Sequence, residues 1–171
     1  MTAPSPITDP ARIRAMSAYD LFHPELTAAL GEICRRTGER LDVPLAAAHA
    51  VLDTATAVLA TNGGHTEFPA AIGGVPNELA LCPRVVAAHA PYVVADLAAH
   101  ADHAANPAVR MGLVRAYAGV PVTLPNGHVL GTHCVLSRQP RGFTADDLAI
   151  MVEAADEIVE RITRYQRATA S

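Results

Sequence analysis

The sequence predicts an α+β domain: a central antiparallel sheet carries the terminal helices on one face and leaves the other for a central helix, a long loop and a ligand pocket. Three observations lead there. Amphipathic helical repeats stand near both ends of the chain. Short apolar runs come in pairs joined by turn sequences. One of those turns holds Asn126-Gly127, the strongest short-range hairpin signal.

Asp9-Pro10 offers an N-cap followed by proline at the first helical position, which predicts a short helical turn through Met16. From Pro24 to about Arg40, the residues Leu26, Leu30, Ile33, Cys34, Thr37 and Leu41 recur at three- and four-residue steps, the pattern of an amphipathic helix. The period then changes. Leu45–Leu52 and Ala57–Ala60 read as the strands of a hairpin around Asp53-Thr54, and Thr61-Asn62-Gly63-Gly64 breaks the chain. Pro76–His89 reads as a helix with Leu79, Cys82, Val86 and His89 on one face, followed by a short strand Tyr92–Val94. Between Ala95 and Met111 no period is sustained, so this stretch is a candidate ligand-binding loop with short helical turns. Arg115–Leu124 and His128–Leu136 form the second hairpin. The last helix opens at Thr144, with Asp147 completing a capping box. Its stripe runs Leu148, Met151, Ala155, Ile158, Ile162 and Tyr165, widened by Val152 and Val159.

Composition sets further bounds. The 171 residues suit one domain, large enough to bury a core without disulfides or a structural metal. All 13 basic residues are arginines, so Schiff-base and P-loop lysine chemistry are excluded. A net charge of −4 argues against nucleic acid as a partner. Met1–Pro10 lacks the regions of a signal peptide, and no apolar run reaches transmembrane length, so no membrane partner is expected. Cys34, Cys82 and Cys134 are too few and too irregular for a disulfide framework or a CxxC zinc site. A cytoplasmic setting is expected.

Several segments, in order, resemble the GAF domain family, in particular a bacterial subgroup. They are Tyr117-Ala118-Gly119-Val120-Pro121-Val122, then Pro125-Asn126-Gly127-His128-Val129-Leu130-Gly131-Thr132, then Pro140-Arg141-Gly142-Phe143-Thr144. Upstream, Cys82, Asp96, Asp102 and Asn106-Pro107 fall where that subgroup carries a cysteine, a strand-ending aspartate and a loop motif. The resemblance covers about Leu26 to Ile162. It implies a GAF fold with a small-molecule pocket on one face of the sheet and a helix pair on the other, often used for dimerisation. Residues 1–19 then read as an N-terminal extension, 20–167 as a single GAF domain and 168–171 as a tail. The chain departs from the subgroup by a short loop between Asp102 and Asn106 without its aromatic residue, by Ala116 in place of phenylalanine, and by His133 in place of leucine. Two rings are thus expected to be missing near the pocket.

The expected function is that of a sensory, ligand-binding regulatory protein that signals through a partner. The alternatives are a cysteine-dependent reductase of the free methionine sulfoxide type, using Cys82 and Cys134, and a haem or metal sensor. No cofactor is identified. Candidate ligand-binding residues are Cys82, Val86, Val94, Asp96, Asn106, Leu113, Arg115, Tyr117 and His133. Cys82 is either an activated thiol at a helix N-cap before Pro83 or a packed thiol in a helix running from Asn77. Only one of His133 and Cys134 can line the pocket, because strand neighbours point to opposite faces. His133 reads either as a satisfied core residue or as a ligand. Asp96 and Arg115 read as orienting a polar ligand over a floor of Val86, Val94 and Leu113, or as a cap on the loop backbone and a guanidinium paired to a carboxylate, two readings that are compatible. His100, Asp102 and His103 are candidate metal ligands, with His65, His89 and Cys82 as possible additions. The terminal stripe serves either the core or, with Leu26, Leu30 and Ile33, a homodimer bundle.

Overall fold

The computed structural model describes residues 5–63 and 73–168. His65 lies outside them. The helices are α1 (Pro10–Ser17), α2 (Pro24–Leu41), α3 (Cys82–Ala88), α4 (Pro107–Arg110) and α5 (Ala145–Thr163). The strands are β1 (Leu45–Val51), β2 (Ala55–Thr61), β3 (Gly74–Pro76), β4 (Tyr92–Val94), β5 (Ala116–Thr123) and β6 (Val129–Ser137). They form one antiparallel sheet in the order β3-β2-β1-β6-β5-β4, so the two hairpins meet where β1 pairs with β6. Helices α2 and α5 pack on one face and α3 on the other. This is the α+β arrangement expected from the sequence.

Local signals account for most element boundaries. Asp9 caps α1 by accepting from the Ala11 amide at 2.9 Å. Thr144 and Asp147 form the reciprocal capping box of α5. The second helix ends at Asp42, which takes the left-handed conformation. Two expectations fail between residues 74 and 82. Pro76 ends the edge strand β3 and does not open a helix, and α3 begins only at Cys82, with Leu81 as its cap. Pro83 permits this start because proline in the first turn removes an amide that has no intrahelical partner.

The central strand β1 reads Leu-Ala-Ala-Ala-His-Ala-Val, a poor strand former by propensity. Burial overrides propensity here. Ala46, Ala48 and Ala50 let α2 approach closely, while Ala47, His49 and Val51 face α3. The larger core lies on the α2–α5 side, where Leu26, Leu30, Ile33, Met151, Ala155, Ile158 and Ile162 are all buried within the protomer. The stripe on α5 therefore serves the core first; Val152 stands outside it, 44% exposed.

One irregularity governs the face opposite α2 and α5. In the β5–β6 ladder Val122 pairs with Gly131 and Thr123 with Val129, so Leu130 is an extra residue, a β-bulge. Leu130 packs towards α5, and from Thr132 onward the alternation is reset. The Arg12 guanidinium, 2% exposed, reaches this bulge and donates to the carbonyls of Val129 at 3.1 Å and Leu130 at 3.5 Å. It also donates to those of Pro6 and Ile7. Arg12 thus ties residues 6–12 to the sheet, and Tyr19 forms a bridge with Gln166 near the other end of the chain.

Candidate functional site

Sheet register builds the site. On the α3 face His49 stands opposite Thr132, Ala47 opposite Cys134 and Leu45 opposite Leu136. Beyond β6, Cys134 meets Gly119 and Leu136 meets Tyr117. Small neighbours on both sides, Ala47 and Gly119, leave Cys134 room. Helix α3 lowers its first residue, Cys82, onto the middle of this array. The Cys82 sulfur is 3.1 Å from His49 Nδ1, accepts from the Thr132 hydroxyl at 3.1 Å and accepts from the Tyr117 hydroxyl at 3.4 Å. Cys134 Sγ lies 3.5 Å from the same His49 nitrogen. All of these side chains are buried.

The contact with Cys134 does most to hold the Cys82 thiol well below the ordinary thiol range, helped by the His49 charge and by hydrogen bonds from His49 and Thr132; burial opposes it. Cys134 moves the opposite way, raised by its contact with Cys82, by burial and by the Cys82 charge. The pair therefore gives up its first proton at Cys82 and keeps the second on Cys134. Burial and the Cys82 charge also push the Tyr117 phenol well up, so it stays a donor. Cys34, on the other face of the sheet, is raised to about 12 by burial.

His49, Cys82, Tyr117 and Cys134 line a cavity of about 110 Å³. The walls are largely apolar, with Leu45, Val75, Leu81, Val109, Leu113 and Leu136 among them, and Asn106 and Arg138 also line it. Among the described residues, Tyr117 is the only Phe, Tyr or Trp that lines it. Its ring is laid back over Gly119, where an added Cβ would collide with the Tyr117 hydroxyl and lie 2.8 Å from Cζ. Replacing Gly119 with alanine is expected to push the phenol off Cys82 and to destabilise the protein by about 1–3 kcal/mol. Chemical denaturation of the two proteins checks this.

The structure divides the expected site. Cys82, Asn106, Leu113 and Tyr117 line the cavity, as does Cys134. Val86 and Val94 are buried in the core beneath α3 but do not line it, so the expected floor is reduced to Leu113. Asp96 and Arg115 form a pair: the Arg115 guanidinium donates to both carboxylate oxygens at 2.9 Å, and Asp96 also caps the turn at Leu97–Ala99; neither lines the cavity. His133 is corrected. It points to the α2 face, donating from Nδ1 to the Ala47 carbonyl at 2.9 Å and accepting at Nε2 from Thr37 Oγ1 at 2.8 Å. Ala116 faces away from the cavity by the same alternation, so the ring missing there does not widen it.

The rings of His100 and His103 lie 4.7 Å apart, but among the described residues they are not gathered with Asp102 into a group of metal ligands. His103 is bonded to the Tyr92 hydroxyl at 2.6 Å, Asp102 accepts from Arg84 at 3.2 Å, and His100 Nδ1 accepts from the Asp102 amide. His89 is exposed at the far end of α3. Sequence reasoning missed His49 and Thr132. His49 carried a signal: it is a lone imidazole in an alanine strand, two residues from Ala47 and Val51 on the same face.

A family model described as GAF domain matches residues 25–162. Among curated proteins, none matches the chain. Several solved structures share the fold. The type II free methionine-R-sulfoxide reductase of Thermoplasma acidophilum superposes with a TM-score of 0.67 at 16% identity, covering 86% of this chain and 98% of that one. The GAF domain of an Acinetobacter phosphoenolpyruvate-protein phosphotransferase gives 0.67 at 15%, covering 90% and 89%. The free methionine-R-sulfoxide reductase of Neisseria meningitidis, solved with its substrate, gives 0.64 at 19%, covering 90% and 85%. Among the described residues no helix is long and apolar enough to cross a membrane. With the family match running from the start of α2 to the end of α5 and the same fold in these structures, the chain belongs to the GAF domain family.

Proposed function

We propose that the chain is a regulatory domain that binds a small, mostly apolar molecule with one polar end and passes its occupancy to a partner protein. The observation that carries this reading is the cavity, whose largely apolar lining also holds the hydrogen-bonding side chains of His49, Cys82, Tyr117 and Cys134. An engineered cavity of about 150 Å³ holds a benzene-sized body, so the occupant here is of that order. With one aromatic wall, a flat stacked nucleotide is a poor fit. Calorimetric melting against a set of small amphipathic molecules tests the reading. At least one is expected to raise the melting temperature of the native chain and none that of Leu113→Trp, whose indole fills the cavity. Failure of every compound on the native chain, or equal shifts in both proteins, overturns it.

A second reading rests on Cys82 and Cys134, whose sulfurs both face the cavity within 4.8 Å of each other. In it, Cys82 attacks the sulfur of a sulfoxide and takes its oxygen as a sulfenic acid, releasing the thioether. The Cys134 thiol then attacks Cys82, expelling water and leaving a disulfide that an external dithiol reduces. Dithiothreitol-driven conversion of free methionine sulfoxide to methionine, lost in Cys82→Ser, is the result that favours it.

Homodimerisation is proposed on narrower ground than the sequence offered. Leu26, Leu30 and Ile33 are enclosed within the protomer, and Val152 is the apolar residue that α5 leaves exposed.

A further inference from the structure

We propose that His49, Cys82 and Cys134 form a three-ligand site for a thiophilic divalent cation of the zinc class, with the fourth coordination position open to the cavity. The three ligand atoms, His49 Nδ1 and the two sulfurs, lie within 4.8 Å of one another, and all three residues are buried. Zinc holds sulfur at about 2.3 Å and nitrogen at about 2.0–2.1 Å in tetrahedral geometry. Those bonds place nitrogen and sulfur about 3.6 Å apart, and two sulfurs about 3.8 Å apart. The observed nitrogen–sulfur separations are 3.1 and 3.5 Å. A cation at the centre therefore needs the Cys82 contact to widen by about 0.5 Å, leaves the Cys134 contact nearly as it is, and needs the two sulfurs, which lie within 4.8 Å of each other, to stand about 3.8 Å apart.

Charge and ligand type agree with this choice. Two thiolates neutralise a divalent ion, so the loaded site is neutral overall and escapes the penalty of an isolated buried charge. Magnesium and calcium are disfavoured because they require oxygen ligands. Two sulfurs and an imidazole select zinc and its neighbours in the softer half of the first row. The hydroxyls of Thr132 and Tyr117 already point at the Cys82 sulfur, at 3.1 and 3.4 Å, and remain as donors that orient the ligating thiolate. His49, Cys82 and Cys134 all line the cavity, which gives a small molecule access to the remaining position. Three protein ligands with an open fourth position are the pattern of a zinc site that binds an exogenous ligand.

The inference uses the same cavity as the proposed function but does not depend on the identity of any organic occupant. Cobalt(II), which reports tetrahedral thiolate ligation through its visible d–d bands and its sulfur-to-metal absorption, is the probe. The full chain, reduced and freed of metal, is titrated with cobalt and then with zinc. One equivalent of cobalt is expected to produce both absorptions and one of zinc to abolish them. Cys82→Ser, Cys134→Ser and His49→Ala are each expected to weaken binding by more than about 100-fold, since loss even of an orienting partner costs about 10–100-fold. Thr132→Val, which keeps all three ligands, is expected to fall within that smaller range, and Cys34→Ser to bind as the native chain does. Circular dichroism confirms that each protein is folded. A folded native chain without the thiolate–cobalt spectrum, or an unchanged spectrum in folded Cys82→Ser, overturns the site. Neither outcome touches the Leu113→Trp melting test, so the two proposals fail separately.

Discussion

Gly131→Ala is expected to remove more than about 3 kcal/mol of stability. A Cβ at residue 131 would collide with the His49 carbonyl oxygen and lie 2.8 Å from His49 C and 2.9 Å from Ala50 Cα. All three are backbone atoms of β1, so no rotamer change relieves the overlap. Relief requires moving β1 from β6, and that pairing, Leu45 with Leu136 through Ala50 with Gly131, joins the two hairpins into one sheet. At roughly 2–4 °C per kcal/mol for a chain of this size, the melting temperature should fall by at least about 6 °C. Gly142→Ala, whose new Cβ meets nothing within 4 Å, is the matched control. Equal melting of the two variants would refute the argument.

The second large effect is of pH. His133 is fully buried, and desolvation pulls its pKa from 6.5 down to about 4, partly offset by its bond to the Ala47 carbonyl. That carbonyl can only accept, so Nδ1 carries the proton and bare Nε2 accepts from Thr37. In the unfolded chain the imidazole titrates near 6.5, so between pH 6.5 and 4 the unfolded state binds more protons than the native state. The contribution of neutral His133 is complete above about pH 6.5 and is lost as pH falls towards 4. The fall amounts to about 3 kcal/mol over the window, at 1.36 kcal/mol per unit. Carboxylates add their own acid dependence, so the measurement is a difference. Urea unfolding of the native chain and of His133→Leu at pH 7, 5.5 and 4.5 should show the native protein losing more stability per unit. Parallel curves would show that His133 is not the group responsible.

The fold was largely legible because its signals are local. Asp9-Pro10, Thr144 with Asp147 and Asn126-Gly127 each satisfy backbone groups within a few residues, and the structure places α1, α5 and the second hairpin there. The edge strand Gly74–Pro76 was not legible: three residues are too few to show a period, and proline invited a helix start. The site was legible only in pieces. Cys82, Asn106, Leu113 and Tyr117 follow from the family pattern, but His49 enters through pairing of β1 with a strand more than eighty residues away. Choosing between His133 and Cys134 required the phase of β6, and that phase is reset at the Leu130 bulge, which Arg12, far away in sequence, contacts.

That bulge has an evolutionary consequence. A strand of period two preserves parity and one additional residue inverts it, so side chains of the same sequence parity change faces across Leu130. Deleting Leu130 would leave Val129 opposite Thr123 and Gly131 opposite Val122, and the imidazole and the thiol would keep their faces; straightening the strand with Leu130 retained would transpose them. A gapless alignment of this chain with a relative that lacks the extra residue would equate cavity positions with core positions beyond the bulge. Homologous columns there need a one-residue gap at 130 before any site residue is compared.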